Sequence, residues 1–149
     1  MSRRKGRILA FQSLYSWDAS GASVDSLMDF SWEKNQDSDG DNRQPSKNEQ
    51  EEYTFARLIV AGTIDHIDEI DKLIEDHLSP KWTKDRLNRV TLAILRTSIY
   101  EMLFQHSSKS IVIDEAVNIA KKYGADDAYK FINAMLDKIG DAKDDTKEA

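Results

Sequence analysis

The chain has 149 residues, of which 40% are hydrophobic and 32% charged, with a net charge of −6. That is the length of one compact domain able to bury a core without staples. It contains no cysteine, which excludes disulfides, thiolate metal sites, iron–sulfur clusters and a cysteine nucleophile, and it suits a reducing cytoplasm.

Two prolines and six glycines are too few to punctuate an all-β chain. No apolar run reaches the roughly 18 residues of a membrane helix, and the basic start leads into a mixed polar segment rather than a secretory leader. Helix is the expected class. The first predicted helix covers residues 3–17, with Ile8, Phe11, Leu14 and Tyr15 as its apolar stripe. Arg3, Arg4 and Arg7 lie one to two turns before that stripe, so they extend a helix the core anchors. A short second helix follows Ser23 as its cap, with Val24, Leu27, Met28 and Trp32 directed inward. Residues 34–48 lack any large apolar side chain and are expected to form a mobile acidic surface loop.

Residues 49–77 carry a long helical rhythm through Phe55, Leu58, Ile59, Gly62, Ile67, Ile70 and Ile74. Ser79-Pro80 should stop it, because proline disfavours helix in the residue before it. A central helix is predicted from about 83 to 105, apolar nearly all round between Leu92 and Phe104. A further helix over 110–123 should bury Ile113, Ala116, Val117 and Ala120, with Gly124 as its C-terminal cap. The last helix follows Asp126-Asp127 and buries Ile132, Met135, Leu136 and Ile139. The expected protein is a single all-α domain of six to seven helices over residues 1–140, with a frayed polar tail over 141–149.

Few constellations carry chemistry. His66, His77 and His106 form no i, i+3 or i, i+4 pair, so no helix-borne metal site is expected. A calcium loop beginning at Asp37 or Asp39 lacks its closing glutamate, since Asn48 or Gln50 stands there. No phosphate-binding glycine loop and no serine nucleophile elbow occurs. No enzyme, metal or cofactor is expected. What remains is the start of the chain: residues 1–7 hold four positive and no negative charges, whereas residues 8–52 hold three positive and ten negative. Arg3, Arg4, Lys5 and Arg7 together form a candidate phosphate-binding arm, broken only by Gly6, which lowers steric bulk beside a backbone.

Four blocks of sequence stand out: Arg3-Arg4-Lys5-Gly6-Arg7 with Ala10-Phe11-Gln12-Ser13-Leu14-Tyr15, then Ala93-Ile94-Leu95-Arg96 with Tyr100-Glu101, then Ile113-Asp114-Glu115-Ala116-Val117 with Ala120-Lys121-Lys122-Tyr123-Gly124, and Lys130-Phe131-Ile132-Asn133 with Leu136-Asp137-Lys138. Together they resemble the NusB family of bacterial transcription antitermination factors. The resemblance implies two packed three-helix sub-bundles and no catalysis. It implies binding of boxA-type single-stranded RNA jointly with NusE, a small-subunit ribosomal protein, in the RNA polymerase elongation complex at ribosomal RNA operons in the bacterial cytoplasm. By motif, Arg3, Arg4, Lys5, Arg7 and Phe131 carry over as RNA-binding residues, and Tyr15 and Asp127 as NusE-facing ones.

The spacing of Phe131, Tyr15 and Tyr100 equally suits core aromatics, Asp127 suits a helix N-terminus, and Arg96 and Glu101 suit structural ion pairs. Thr91 stands where the family often has glutamate on its NusE side, and Ala134 replaces the glycine after Asn133. Relatives include monomers and homodimers, and the sequence leaves both open. The rival readings are a helical protein-interaction module that binds no RNA, a duplex-DNA binder, and the same fold serving a ribosomal RNA methyltransferase. The last would need a cofactor domain and a cysteine nucleophile, neither of which these residues supply.

Overall fold

A computed structural model describes residues 3–30, 46–79 and 87–147, with the side chains of 143–147 excepted. Among the described residues there are seven helices and no strand: α1 (Arg3–Ser20), α2 (Val24–Met28), α3 (Lys47–Asp65), α4 (Ile67–Asp76), α5 (Arg89–Leu103), α6 (Lys109–Tyr123) and α7 (Ala128–Lys147). Trp32, Pro80, the expected helix start near Thr83 and most of the 34–48 loop lie outside the described residues.

Local chemistry accounts for most boundaries. Ser23 caps α2, its side chain accepting from Ser26 N, and Ser46 caps α3 by accepting from Glu49 N. The Ser46 cap starts α3 at Lys47, two residues inside the segment read as loop. Asn88 accepts from the backbone of Val90 and Thr91, so the central helix starts at Arg89. Gly124 closes α6 in extended backbone, its N–H donating to Ala120 O at 2.8 Å. The long predicted helix is broken at His66 into α3 and α4. Beyond Gly140, α7 continues as helix to Lys147. Lys109, at the start of α6, pairs with Asp137 at 2.8 Å and with Asp141, which ties down this last stretch of α7.

The architecture is built round α5, which packs against α1, α3, α4, α6 and α7. The two other extensive contacts are α1 on α3 and α6 on α7, so one group of helices gathers on each side of α5. This is why α5 is enclosed on nearly every face: Leu92, Ala93, Ile94, Leu95, Ile99 and Met102 are all buried. Two of its three charged residues, Arg96 and Glu101, are buried as well, while Arg89 at its start is exposed. Arg96 makes a two-point contact with Asp71 of α4, both bonds 2.8 Å, and lies 3.8 Å from Asp18 of α1. Glu101 takes Arg7 of α1. Both are ion pairs as expected, and each reaches a different helix.

Three core assignments shift. Leu58 is exposed rather than buried. On α6 the inward face is Val112, Ala116, Ile119 and Ala120, with Ile113 and Val117 only half-buried. Tyr15 is 39% exposed and leaves the α1 stripe, whose buried members are Leu9, Ala10, Phe11, Ser13 and Leu14. Ile132, Met135, Leu136 and Ile139 of α7 are buried as the spacing requires.

Candidate nucleic-acid interface

The basic arm is the first two turns of α1, and the structure treats its four cations differently. Gly6 is buried, and a Cβ there would meet the Phe55 ring at 2.6 Å and Glu52 O at 3.3 Å. The glycine therefore allows close approach of α1 to α3, which fixes the arm as a rigid helical edge. Arg3 lies over the Phe55 ring, 4.9 Å from guanidinium carbon to ring centre. Lys5 is exposed.

Arg4 and Arg7, one turn apart, each grip a carboxylate. Arg4 Nε and Nη2 donate to Glu115 of α6 at 3.0 and 3.1 Å. Arg7 Nε and Nη2 donate to Glu101 of α5 at 2.6–3.0 Å. The first pair is open to water, with side chains 62% and 15% exposed; the second is shut in, at 13% and 4%. Hydrogen bonds from Arg4, together with the charges of Arg4 and Arg7, hold the Glu115 carboxyl below its usual range against the opposing effect of burial. The same pairing raises Arg4. Of the four arm residues, Arg3, Arg4 and Lys5 thus face solvent while Arg7 is engaged in the core.

Phe131 projects from the first turn of α7 and is 38% exposed, unlike a core aromatic. The Arg4–Glu115 and Phe11–Tyr123 contacts show α1 and α6 running in the same direction, with rings 5.3 Å apart at the second. Lys109 against Asp137 and Asp141 shows α7 running back along α6, which brings Phe131 level with the stretch of α6 that follows Glu115. Next to Phe131 in the sequence, the structure pairs lysines with aromatic rings that motif matching passed over. Lys121 and Lys130 lie 4.9 and 5.9 Å from the Tyr129 ring centre, and Lys122 lies 5.3 Å from that of Tyr123. The interleaving of lysines with aromatics through 121–131 was the signal that could have found them.

Tyr15 and Asp127 are both exposed. Tyr15 is three turns along α1 from Arg3, about 18 Å at the usual helical rise. Asp127 sits in the α6–α7 turn at φ +68°, a left-handed conformation that aspartate tolerates better than most residues, with its carboxylate 3.6 Å from Lys130. Extending the α1–α6 alignment by one turn brings Tyr15 to the same end of the molecule as Asp127, away from the arm. Thr91, at the family's glutamate position, is buried in the first turn of α5 and presents no group outward, and Ala134 is exposed. Among the described residues no group of three or more histidine, aspartate or glutamate side chains is placed to hold a metal ion. No described helix is long and apolar enough to cross a membrane.

Fold and surface together define an all-α protein with a rigid basic edge and a lysine–aromatic patch, the chemistry of a phosphate- and base-binding surface. The NusB family profile matches residues 4–141, nearly the whole chain. The chain belongs to the NusB family. It is 50% identical over 140 residues to transcription antitermination protein NusB of Treponema denticola, covering 93% of this chain and 96% of that one. It is 40% identical over 135 residues to the protein of the same description from Borreliella burgdorferi, covering 89% of each. Among solved structures, a chain of antitermination factors NusB and NusE in complex with double-stranded RNA superposes with a TM-score of 0.77 at 32% identity, covering 94% of this chain and 96% of that one. T. maritima NusB also gives 0.77, at 29% identity, over 95% and 92%.

Proposed function

We propose that this protein is a transcription antitermination factor that binds boxA-type RNA jointly with a NusE-like ribosomal protein and acts in the elongation complex of RNA polymerase at ribosomal RNA operons, in the bacterial cytoplasm. It works by binding, without catalysis. The observation that carries this reading is the family match across residues 4–141, with relatives described as transcription antitermination proteins. The described complex of NusB and NusE with RNA supports both partners.

In this reading RNA phosphates contact Arg3, Arg4 and Lys5, and bases stack near Phe131 beside Lys121, Lys122 and Lys130. Stacking on an exposed aromatic between cations is a general single-strand RNA mode. Arg7 belongs to the same surface as the anchor of the arm. Tyr15 and Asp127 serve the protein partner, and since Asp127 lies 3.6 Å from Lys130 the RNA and NusE surfaces adjoin at the α6–α7 turn.

The test is binding of a labelled boxA-type single strand, with its duplex alongside, with and without NusE, over a salt series. The variant carries Arg3→Ala, Arg4→Ala and Lys5→Ala, which leaves the buried Arg7–Glu101 pair intact. Wild type should bind, tighten with NusE, and lose affinity in the triple variant, with the salt slope shallower by about 0.7 for each phosphate no longer neutralised. Equal binding by the variant would overturn the arm as the RNA site. No binding by wild type would leave the protein-interaction module as the better account.

A further inference from the structure

We propose that Glu115 is an internal stand-in for an RNA phosphate: it holds the Arg4 guanidinium in the two-point geometry a phosphate would take, and RNA binding requires that it be exchanged. This rests on the RNA-binding reading above and names the residue that tunes it.

Arg4 donates through Nε and Nη2 to the two oxygens of Glu115, the same fork that arginine offers to a phosphate. A guanidinium committed to a carboxylate is positioned but already neutralised. The exposures make exchange feasible at this pair alone: Arg4 is 62% exposed, so a phosphate can approach its outer edge, whereas Arg7 and Glu101 are enclosed by α1, α5 and α6. Glu115 itself is largely covered, so its carboxylate stays on the α6 frame while the arginine moves. Arg7, three residues on, keeps the first turn of α1 in place by its grip on Glu101. The exchange is therefore a rotation of one side chain and needs no movement of the helix.

Glu115 acts on RNA through Arg4, so it is a positioning residue whose effect must vanish when Arg4 is gone. The experiment is a double-variant cycle on the full chain: wild type, Glu115→Gln, Arg4→Ala, and both together. Each is titrated with a fluorescein-labelled single-stranded boxA-type RNA over a salt series, with a thermal melt of each as the folding control. Releasing Arg4 from an exposed pair should tighten RNA binding about 2- to 5-fold in Glu115→Gln. The salt slope should steepen by up to about 0.7, the value for one further phosphate neutralised. In the Arg4→Ala background the same substitution should change neither quantity.

If Glu115→Gln tightens binding equally in both backgrounds, the carboxylate acts only by long-range repulsion and the proposal is overturned. If wild type binds and Glu115→Gln binds equally or more weakly, the proposal fails while the RNA reading stands. If wild type does not bind the RNA at all, the reading itself fails and the proposal with it.

Discussion

Two arginine–carboxylate pairs sit one turn apart on α1, built from the same atoms with nearly the same bond lengths, yet their surroundings give them opposite roles. Arg7–Glu101 is enclosed between α1 and the central helix α5. Its charges cannot exchange water or ligand without disturbing the core, so it fixes how the N-terminal helix meets the rest of the fold. Arg4–Glu115 lies at the rim, where water screens the attraction and an incoming anion can replace the carboxylate. Identical chemistry becomes a structural pin in one place and an exchangeable contact in the other, and burial alone separates them.

The comparison can be broken most severely at its buried half. Glu101→Ala leaves the Arg7 guanidinium enclosed without its counter-charge and should cost about 3–5 kcal/mol, read as a lower midpoint in urea unfolding. A loss below about 1 kcal/mol would mean water reaches Arg7 and the two pairs do not differ as described. Replacing both partners, Arg7→Met with Glu101→Leu, should recover most of that loss, because an apolar pair of similar volume carries no desolvation penalty. An unrecovered double variant would indicate that the pair specifies the α1–α5 docking geometry beyond its charge balance.

Smaller effects belong to the rim. Glu115→Gln should leave the urea midpoint close to that of wild type, and 1 M salt should weaken Arg4–Glu115 while sparing Arg7–Glu101. Arginine Nε–H exchange rates, followed by NMR, would separate the two. The smallest effect is with pH. Glu115 ionises below its ordinary value of about 4.5 because Arg4 hydrogen-bonds its charged form. A depressed folded value means the pair's contribution is complete above that ordinary value and disappears as pH falls through the lower folded one. Carboxyl-carbon NMR should give a Glu115 midpoint below that of exposed glutamates, and Arg4→Ala should return it to their range.

Much of this was legible in residues 3–20 and 128–139. The apolar spacing there is regular, Ser23 and Gly124 mark ends by local chemistry, and the α7 core residues occupy one clean stripe. The break at His66 was not legible, because the apolar rhythm continues across it and no glycine or proline interrupts it. Leu58 kept the phase of its neighbours, but among the described residues no helix covers it. On α6 apolar residues occur at 111, 112, 113, 116, 117, 119 and 120, so the sequence allowed more than one inward face and packing on α5 and α7 selected among them.

The site shows the same division. Composition alone located a cationic start, and four blocks of residues located a family. Neither could tell Arg7 from Arg4. The carboxylates that distinguish them are 94 and 111 residues away along the chain, and no local pattern encodes such a distance. By itself the sequence determined that the chain is helical, where most helices start and stop, and that its N-terminus is cationic, because propensity, capping and charge act over a few residues. Only the tertiary structure decided which arginines are free to act on a ligand, because desolvation depends on what other helices bring to the same point in space.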